Sequence, residues 1–294
     1  MRLSLQRLRP YAPLVWLAPA VVYLLAFSIY PLIYSLHVSF TVTTAGPAPF
    51  TLANFTRLLR DHLFFTSLGQ TAVYTLAALV VEFLLGLALA LLVDWGLRAG
   101  LRLVKTARAL LLVPMLLPPV VVAVIWRLIY NPDFGVLNGT LKSLGVNTAS
   151  LTWTAGEGTA LISVILVDVW QWTPFMFLLL LAGLQALPVE PFEAARVDGA
   201  SAFATFRLLT LPLLKPVILV ALLLRTMDLL RVFDQIFILT QGGPGFATET
   251  ASLFIYRTAF RFYDFGYAAV LSFVVLAFTI LLARLFMRVL RRAA

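Results

Sequence analysis

Long runs without a charged side chain restrict this chain to one class of fold. Several runs reach the roughly 18 residues that an α-helix needs to cross a bilayer. Only 12% of the residues are charged and 62% are hydrophobic, whereas soluble proteins carry charge at about 25% of their positions. We therefore expect an all-α, polytopic membrane protein.

Six of these runs are interpreted as membrane-spanning helices, at about residues 11–40, 66–93, 107–130, 158–187, 213–240 and 263–287. The basic start resembles that of a signal peptide, but the first run is too long and has no clear cleavage site, so we expect a retained helix. The predicted organisation is an N-terminal segment, a first helix, a five-helix core and a C-terminal segment, at residues 1–10, 11–40, 66–287 and 288–294.

The distribution of basic residues predicts the orientation of these helices. With a cytoplasmic N-terminus, the inner segments hold 14 Lys and Arg residues and the outer loops hold five. Positive residues accumulate on the cytoplasmic side of membrane proteins. We therefore expect both termini, and the loop that contains Glu193, to lie in the cytoplasm. This topology explains the formal net charge of +9 without nucleic-acid binding.

The segment of residues 187–216 is a polar interruption between two apolar runs. It contains three acids, three bases, four prolines and one glycine. Pro191 fits the first turn of a helix, where its missing N–H costs nothing. Gly199 suits the left-handed residue that ends a helix, and Ser201 suits the N-cap of the next one. The pattern predicts two short helices rather than a loop.

Two further features of this segment concern its end and its surface. Pro212 and Pro216 are predicted to end the second helix before the chain returns to apolar sequence. Small alanines form a smooth face with three aromatic anchors, Phe192, Phe203 and Phe206, a shape that fits a groove on another protein. From these residues alone, a helix–turn–helix that only packs under its own bundle is an equally good interpretation.

The same segment resembles the EAA signature of the membrane permeases of bacterial ABC importers. The matching residues are Glu193-Ala194-Ala195, Asp198-Gly199-Ala200, Phe206, Leu211-Pro212 and Pro216. In that family the motif forms the coupling helices that dock into the ATPase subunit. Within a predicted cytoplasmic loop of residues 188–212, the resemblance implies an ATPase-coupling role for Glu193, Ala194, Ala195, Asp198, Gly199 and Pro212.

Other residues resemble the sugar-permease branch of the family, the maltose/trehalose/glycerol-3-phosphate type: Trp126-Arg127, Trp170, Phe233-Asp234 and the glycine-rich turn 239–245. The resemblance implies six transmembrane helices with a MetI-like core, in a bacterial or archaeal cell membrane and in contact with its lipid. It also implies three kinds of partner: a second permease subunit, two copies of an ATPase that binds ATP and Mg, and an extracytoplasmic solute-binding protein. The implied substrate is a di- or oligosaccharide, or a related polyol or sugar derivative.

Six ionisable groups lie inside the predicted spans: Glu82, Asp168, Arg225, Asp228, Arg231 and Asp234. Each costs about 2.5–3.5 kcal/mol at a bilayer centre, so we expect them to face the bundle, a cavity or a partner. The last four alternate in sign every three residues of the fifth span, where each acid can pair with a base one helical turn away.

Two functions of these charges are open from the sequence. They form either a self-neutralised ladder that fixes the helix to a neighbour, or a polar wall of the translocation path. Aromatic and polar residues near Asp168 suit a sugar, although tryptophans are common at membrane helix ends. The candidate pathway residues are Asp168, Trp172, Arg225, Asp228, Arg231, Asp234 and Gln241. Glu82, four residues before Gly86, is interpreted as a helix-packing or gate residue.

Motifs for common catalytic sites are missing from the sequence. It contains no G-x-x-x-x-G-K-[ST], G-x-S-x-G or H-E-x-x-H, and no cysteine. We therefore predict no catalytic residue, no metal and no cofactor in this chain, with ATP hydrolysis on a separate subunit. An ion-coupled secondary transporter that uses the intramembrane carboxylates is the alternative, although it leaves the EAA segment unexplained. A lipid-active membrane enzyme would lack a nucleophile–base pair.

Overall fold

A computed structural model describes residues 12–42, 50–148 and 151–293. This part of the chain is helical apart from loops and one isolated antiparallel bridge between Thr41 and Phe50. The helices are α1 Ala12–Leu24, α2 Tyr30–Ser39, α3 Ala53–Leu58, α4 His62–Arg98, α5 Leu103–Leu111, α6 Val113–Leu116, α7 Pro119–Ile129, α8 Val136–Ser143, α9 Ala160–Gln185, α10 Glu190–Val197, α11 Ala202–Thr205, α12 Leu211–Leu229, α13 Asp234–Leu239, α14 Ala251–Tyr256 and α15 Phe265–Ala293. Three π-helical turns join consecutive helices, at Leu25–Ile29, Phe206–Thr210 and Arg257–Arg261.

Five described helical stretches are long and apolar enough to cross a membrane: Trp16–Ser39, His62–Arg98, Ala160–Gln185, Ala202–Leu229 and Phe265–Arg291. A sixth candidate is the bent pair Leu103–Leu116 and Pro119–Ile129. The predicted all-α, polytopic class is therefore confirmed.

The third predicted span, residues 107–130, is not one straight helix. The chain bends by 97° between Leu116 and Pro119, and Leu117 adopts an extended conformation with ψ of 137°. A residue that precedes proline is disfavoured in the helical region, and Pro118 and Pro119 lack N–H groups for the helical ladder. The helix resumes with Pro119 in its first turn. The apolar run continues through both prolines, so hydropathy alone conceals the break.

The prediction that Pro212 and Pro216 end a helix is wrong. The helical path continues from Ala202 to Leu229. The π-helical turn Phe206–Thr210 lies just before Pro212, and there the Leu211 N–H donates to the carbonyl of Phe206, five residues back. This wider turn accommodates Pro212 in the first turn of α12. A proline removes only one N–H from the ladder, which packing and local adjustment offset in membrane helices.

The fifth predicted span, residues 213–240, is shorter than the sequence indicates. Helix α12 ends at Leu229, a turn follows, and the separate short helix α13 begins at Asp234. The predicted division into terminal segments, a first helix and a five-helix core stays a prediction.

The chain divides into two compact units, each described here by itself. The first contains the described residues of Met1–Asp61 and Ile255–Val274. Within it, the Asn54 amide donates to the carbonyls of Ser39 and Thr41, at 3.1 and 2.8 Å. Arg57 pairs with Asp264 at 2.6 Å on the surface. These bonds connect helix α3 to its neighbours in the unit.

The second unit, His62–Phe254 and Val275–Ala294, contains the main apolar core. Helices α4 and α9 pack along each other, and Gly86 permits the close approach. A Cβ atom at Gly86 would lie 2.6 Å from the Cβ of Met176. Below this contact the buried core consists of Leu87, Ala90, Val93, Phe177, Leu180, Leu181, Leu184 and Leu214.

Candidate functional site

A buried arginine connects three long helices of the second unit. Arg225 of α12 is only 2% exposed. Its Nε and Nη2 donate to the two carboxylate oxygens of Glu82 in α4, at 2.7 and 2.9 Å. Nη2 also donates to Asp168 of α9, and Nη1 donates to Asp228 one turn further along α12. We call these four side chains the Arg225 cluster.

The geometry of the guanidinium group explains why arginine occupies this position. Its planar fork of donors matches the two oxygens of Glu82, a bidentate arrangement that a lysine cannot make. A charge buried in a membrane protein requires such partners, because transfer from water without them is expensive. The Trp172 ring lies 5.1 Å from the guanidinium carbon, within the range of a cation–π contact.

A cavity of about 120 Å³ lies beside the Arg225 cluster. Six of the seven predicted pathway residues line it: Asp168, Trp172, Arg225, Asp228, Arg231 and Asp234. Pro119, Phe233 and Gln235 complete much of the remaining wall. Gln241 is not part of the wall; it lies exposed after α13, with a φ of +51°.

The predicted ladder of alternating charges along one helix is wrong. Only its first pair, Arg225 and Asp228, lies on α12 and forms the expected contact. Because the helix ends at Leu229, Arg231 and Asp234 lie beyond it, and the Arg231 Nε donates to the carbonyl of Met227 at 3.1 Å. Arg225 finds its other partners on neighbouring helices instead.

The sequence analysis interprets Glu82 as a helix-packing or gate residue but does not identify its partner, Arg225. It is fully buried and bonded to Arg225 through both oxygens. A signal was present, because an isolated carboxylate inside a span needs a basic partner on another helix. The sequence contained such a base in Arg225, but sequence spacing cannot show which helices become neighbours.

The site has an excess of negative charge. Four carboxylates, those of the Arg225 cluster and Asp234, lie around the two guanidinium groups of Arg225 and Arg231, which gives a formal charge of −2. Glu82 and Asp168 are buried, whereas Asp228 is about half exposed. The arrangement is therefore rich in hydrogen-bond acceptors.

The segment of residues 187–216 folds largely as the sequence predicts. Helix α10 has Pro191 in its first turn. Gly199 has a φ of +72°, so it is the left-handed residue after that helix. The Ser201 hydroxyl accepts a hydrogen bond from the N–H of Ala204 at 3.2 Å and caps α11.

Several large apolar side chains of this segment are exposed. Val197 is 88% exposed and Phe203 is 70% exposed. The predicted anchors behave differently from one another, since Phe192 and Phe206 are half-buried and line a groove of about 490 Å³. Among the predicted coupling residues, Ala195 is half-buried and the others are exposed: Glu193, Ala194, Asp198, Gly199 and Pro212.

Comparison with solved structures supports the fold. A chain in the crystal structure of a bacterial ABC transporter involved in the import of the acidic polysaccharide alginate matches with a TM-score of 0.85 at 22% identity, over 99% of both chains. An inward-facing structure of the MetNI methionine ABC transporter matches with a TM-score of 0.54 at 18% identity, over 79% of this chain and 96% of that one.

Sequence comparison identifies the family. The chain is 41% identical over 272 residues to the trehalose/maltose transport system permease protein MalF of Thermococcus litoralis, covering 89% of both proteins. It is 35% identical over 281 residues to the trehalose transport system permease protein SugA of Mycobacterium tuberculosis, covering 94% of this chain and 88% of the relative. Residues 82–294 match the family described as binding-protein-dependent transport system inner membrane component. The resemblance read from the EAA residues is confirmed, and the chain belongs to this family of membrane transport components.

Proposed function

We propose that this chain is one of two permease subunits of an ATP-driven ABC importer, and that its substrate is a neutral sugar. The observation that carries this proposal is the cavity beside the Arg225 cluster, where an aromatic ring lies among carboxylates. Two relatives are named as trehalose or trehalose/maltose permeases, which favours a di- or oligosaccharide or a related polyol. Family membership supports this importer over the ion-coupled alternative.

The chemistry of the wall fits a sugar better than an anion. Sugar hydroxyl groups are donors that can reach the carboxylate of Asp228, which is about half exposed and is bonded to Arg225 through one oxygen. The Trp172 ring offers an apolar face for the C–H side of a sugar ring. The formal charge of −2 opposes a phosphorylated or acidic substrate, because like charges in a poorly hydrated site repel strongly.

The size of the cavity indicates that this chain forms only part of the site. Its volume of about 120 Å³ is below the roughly 300–1,000 Å³ of typical ligand pockets. In our proposal, a second permease supplies the opposite wall, and the cavity widens when substrate arrives from an extracytoplasmic solute-binding protein. Asp228, Arg231 and Asp234 lie on the more accessible side of the cluster, where they first meet the substrate.

The exposed segment of residues 188–212 is proposed to couple the permease to two copies of an ATPase. Helix α10 and the turn at Gly199 dock into the ATPase, while ATP and Mg bind there and not to this chain. Binding energy that differs between two states of the assembly switches the permease between outward- and inward-facing forms. This assignment requires the segment and both termini to be cytoplasmic, as the distribution of basic residues favours.

Reconstitution of the complete importer in proteoliposomes tests this function. We expect ATP-dependent uptake of labelled trehalose or maltose and little uptake of a sugar phosphate. Asp228→Asn removes a charged acceptor at the half-exposed edge of the cluster and is expected to raise the KM for sugar at least tenfold. Asp133→Asn, in an exposed turn, is the matched control and should leave the KM unchanged. Uptake that persists without ATP and collapses with the proton gradient would contradict the proposal.

A further inference from the structure

A series of hydrogen bonds between buried side chains leads from Tyr74 past the cavity to the break in the third span. The Tyr74 hydroxyl of α4 donates to the Gln235 Oε1 at 3.3 Å. The Gln235 Nε2 donates to the Gln171 Oε1 at 2.7 Å, and the Gln171 Nε2 donates to the carbonyl of Leu117 at 2.9 Å. Tyr74, Gln171 and Gln235 are at most 2% exposed. We call this series the glutamine relay.

The relay ends at a backbone carbonyl that the bend leaves outside a regular helix. Leu117 is extended, and the helix resumes only at Pro119. Leu117 is half-buried, and the Gln171 amide is the donor to its carbonyl. A side chain of α9 therefore supplies the hydrogen bond at the position where α6 gives way to α7.

The relay meets the wall of the cavity at Gln235, one of its members, and at Pro119, two residues after the Leu117 carbonyl at which it ends. Pro119, which begins α7, and Gln235, in α13, line the same space as Asp168 and Trp172. Gln171 lies next to Trp172 on α9, and α7 packs against α13. The relay thus holds two parts of the wall, the start of α7 and the first turn of α13, against the helix that carries Asp168.

We propose that Gln171 and Gln235 are positioning residues that set the width of the cavity and thereby the size of the sugar that enters. This role rests on the proposed function. The two amides act through Pro119 and α13 and need no contact with the sugar. A hydrogen-bonded network of buried amides favours one arrangement of the helices that carry it, whereas apolar side chains of similar volume allow these helices to shift against each other. Loss of the relay therefore changes discrimination between sugars of different size more than it changes the turnover of the ATPase.

The chain contains no cysteine, so two spin labels can report the geometry directly. Labels at Val120→Cys in α7 and Leu166→Cys in α9, both exposed positions, are measured in the assembled importer. The parent is expected to give a narrow distance distribution. Gln171→Leu removes the donor to Leu117 and the acceptor for Gln235, and should broaden or shift it. Thr173→Val in the same helix removes a hydroxyl without a hydrogen-bond partner among the described residues and should leave it unchanged.

Uptake of mono-, di- and trisaccharides by the same variants tests the effect on specificity. We expect Gln171→Leu to reduce the ratio of kcat/KM between the preferred and the larger sugar at least fivefold, the factor that corresponds to one lost hydrogen bond. Basal ATPase activity should stay near that of the parent. Gln171→Glu keeps the acceptor for Gln235 but places a buried carboxylate oxygen against the carbonyl of Leu117, so its effect should be at least as large.

The two measurements separate failure of this inference from failure of the proposed function. An unchanged distance distribution in Gln171→Leu would overturn the positioning role, whatever the importer transports. A broadened distribution with equal loss for every sugar would overturn the role in specificity. If the parent takes up no sugar, the proposed substrate is wrong, and the role of the relay in specificity is wrong with it. The distance distributions still decide whether the relay positions α7.

Discussion

Two regions of this chain invert the usual distribution of polarity in opposite ways. The Arg225 cluster buries charges, with Arg225 only 2% exposed among three carboxylates. The segment of residues 187–216 exposes apolar groups, with Val197 88% and Phe203 70% exposed. The first region satisfies its polar groups inside the chain, whereas the second leaves apolar groups exposed.

The comparison predicts that the two regions fail differently when they are altered. Damage to the cluster should act on the stability of the chain itself, because its partners are all in the second unit. Damage to the exposed segment should act on assembly and transport and leave the chain folded.

The largest effect on transport is expected from Gly199→Val. Its φ of +72° is costly for a residue with a Cβ atom, and a branched side chain thickens the surface that we propose docks into the ATPase. We expect transport at background level with normal membrane insertion, measured by uptake and by the amount of protein in the membrane. Gly145→Val has a similar φ of +81° and similar open space, but lies outside the segment. Equal loss of transport in both variants would show that strain alone is responsible.

The largest effect on stability is expected from Arg225→Met. The substitution leaves Glu82 and Asp168 buried without their base, a change that typically costs about 3–5 kcal/mol. Thermal unfolding of the purified chain in detergent measures it. Arg98→Met breaks the exposed pair with Asp94 and should cost less than about 1 kcal/mol.

A combined variant checks the cause of that loss. Glu82→Gln and Asp168→Asn, added to Arg225→Met, remove the uncompensated charges and should recover most of the midpoint of thermal unfolding. A triple variant as unstable as the single one would indicate that shape, rather than charge, determines the stability of the cluster.

A smaller effect is expected from Phe203→Ala. Exposed aromatic side chains that enter a partner's pocket are typical hot spots, so the free energy of ATPase binding should weaken by about 2 kcal/mol. Thermal unfolding of the isolated chain should hardly change, because the ring is exposed. Phe262→Ala removes an equally exposed ring, 72% accessible, outside the segment. If both variants bind the ATPase as tightly as the parent, α11 is not part of the docking surface.

The smallest effect is expected from Ser201→Ala. It removes the hydroxyl that accepts from the Ala204 N–H, and loss of an N-cap costs about 1 kcal/mol. Weaker ATPase binding by roughly fivefold should follow, because the start of α11 frays. Ser201→Gly should cost only a few tenths of a kcal/mol, and a larger loss in the glycine variant would assign the effect to the flexibility of the turn.

The exposed segment was predictable from the sequence because its structure depends on near neighbours. A proline in a first turn, a glycine at positive φ and a serine cap each act within four residues. The same local reasoning failed at Pro212, since the π-helical turn before it and the packing of α12 compensate for one missing N–H.

The Arg225 cluster was only partly predictable. Spacing identified the Arg225–Asp228 contact, because both residues lie on one helix. Pairing with Glu82 and Asp168 depends on which helices become neighbours, and the relay depends on a carbonyl exposed by the bend at Leu117. Periodicity along one segment contains neither kind of information.

The members of the Arg225 cluster lie far apart in the sequence, so the ribosome synthesises them at different times. Glu82 is synthesised 143 residues before Arg225, and Asp168 precedes it by 57 residues. At about 5–20 residues per second, Glu82 waits on the order of ten seconds for its base. During that time its carboxyl group lies in or near lipid without the partner that makes its burial favourable. The bundle therefore closes late, when the helix that carries Arg225 arrives, and nascent chains that stop short of that helix expose an uncompensated acid to the quality control of the membrane.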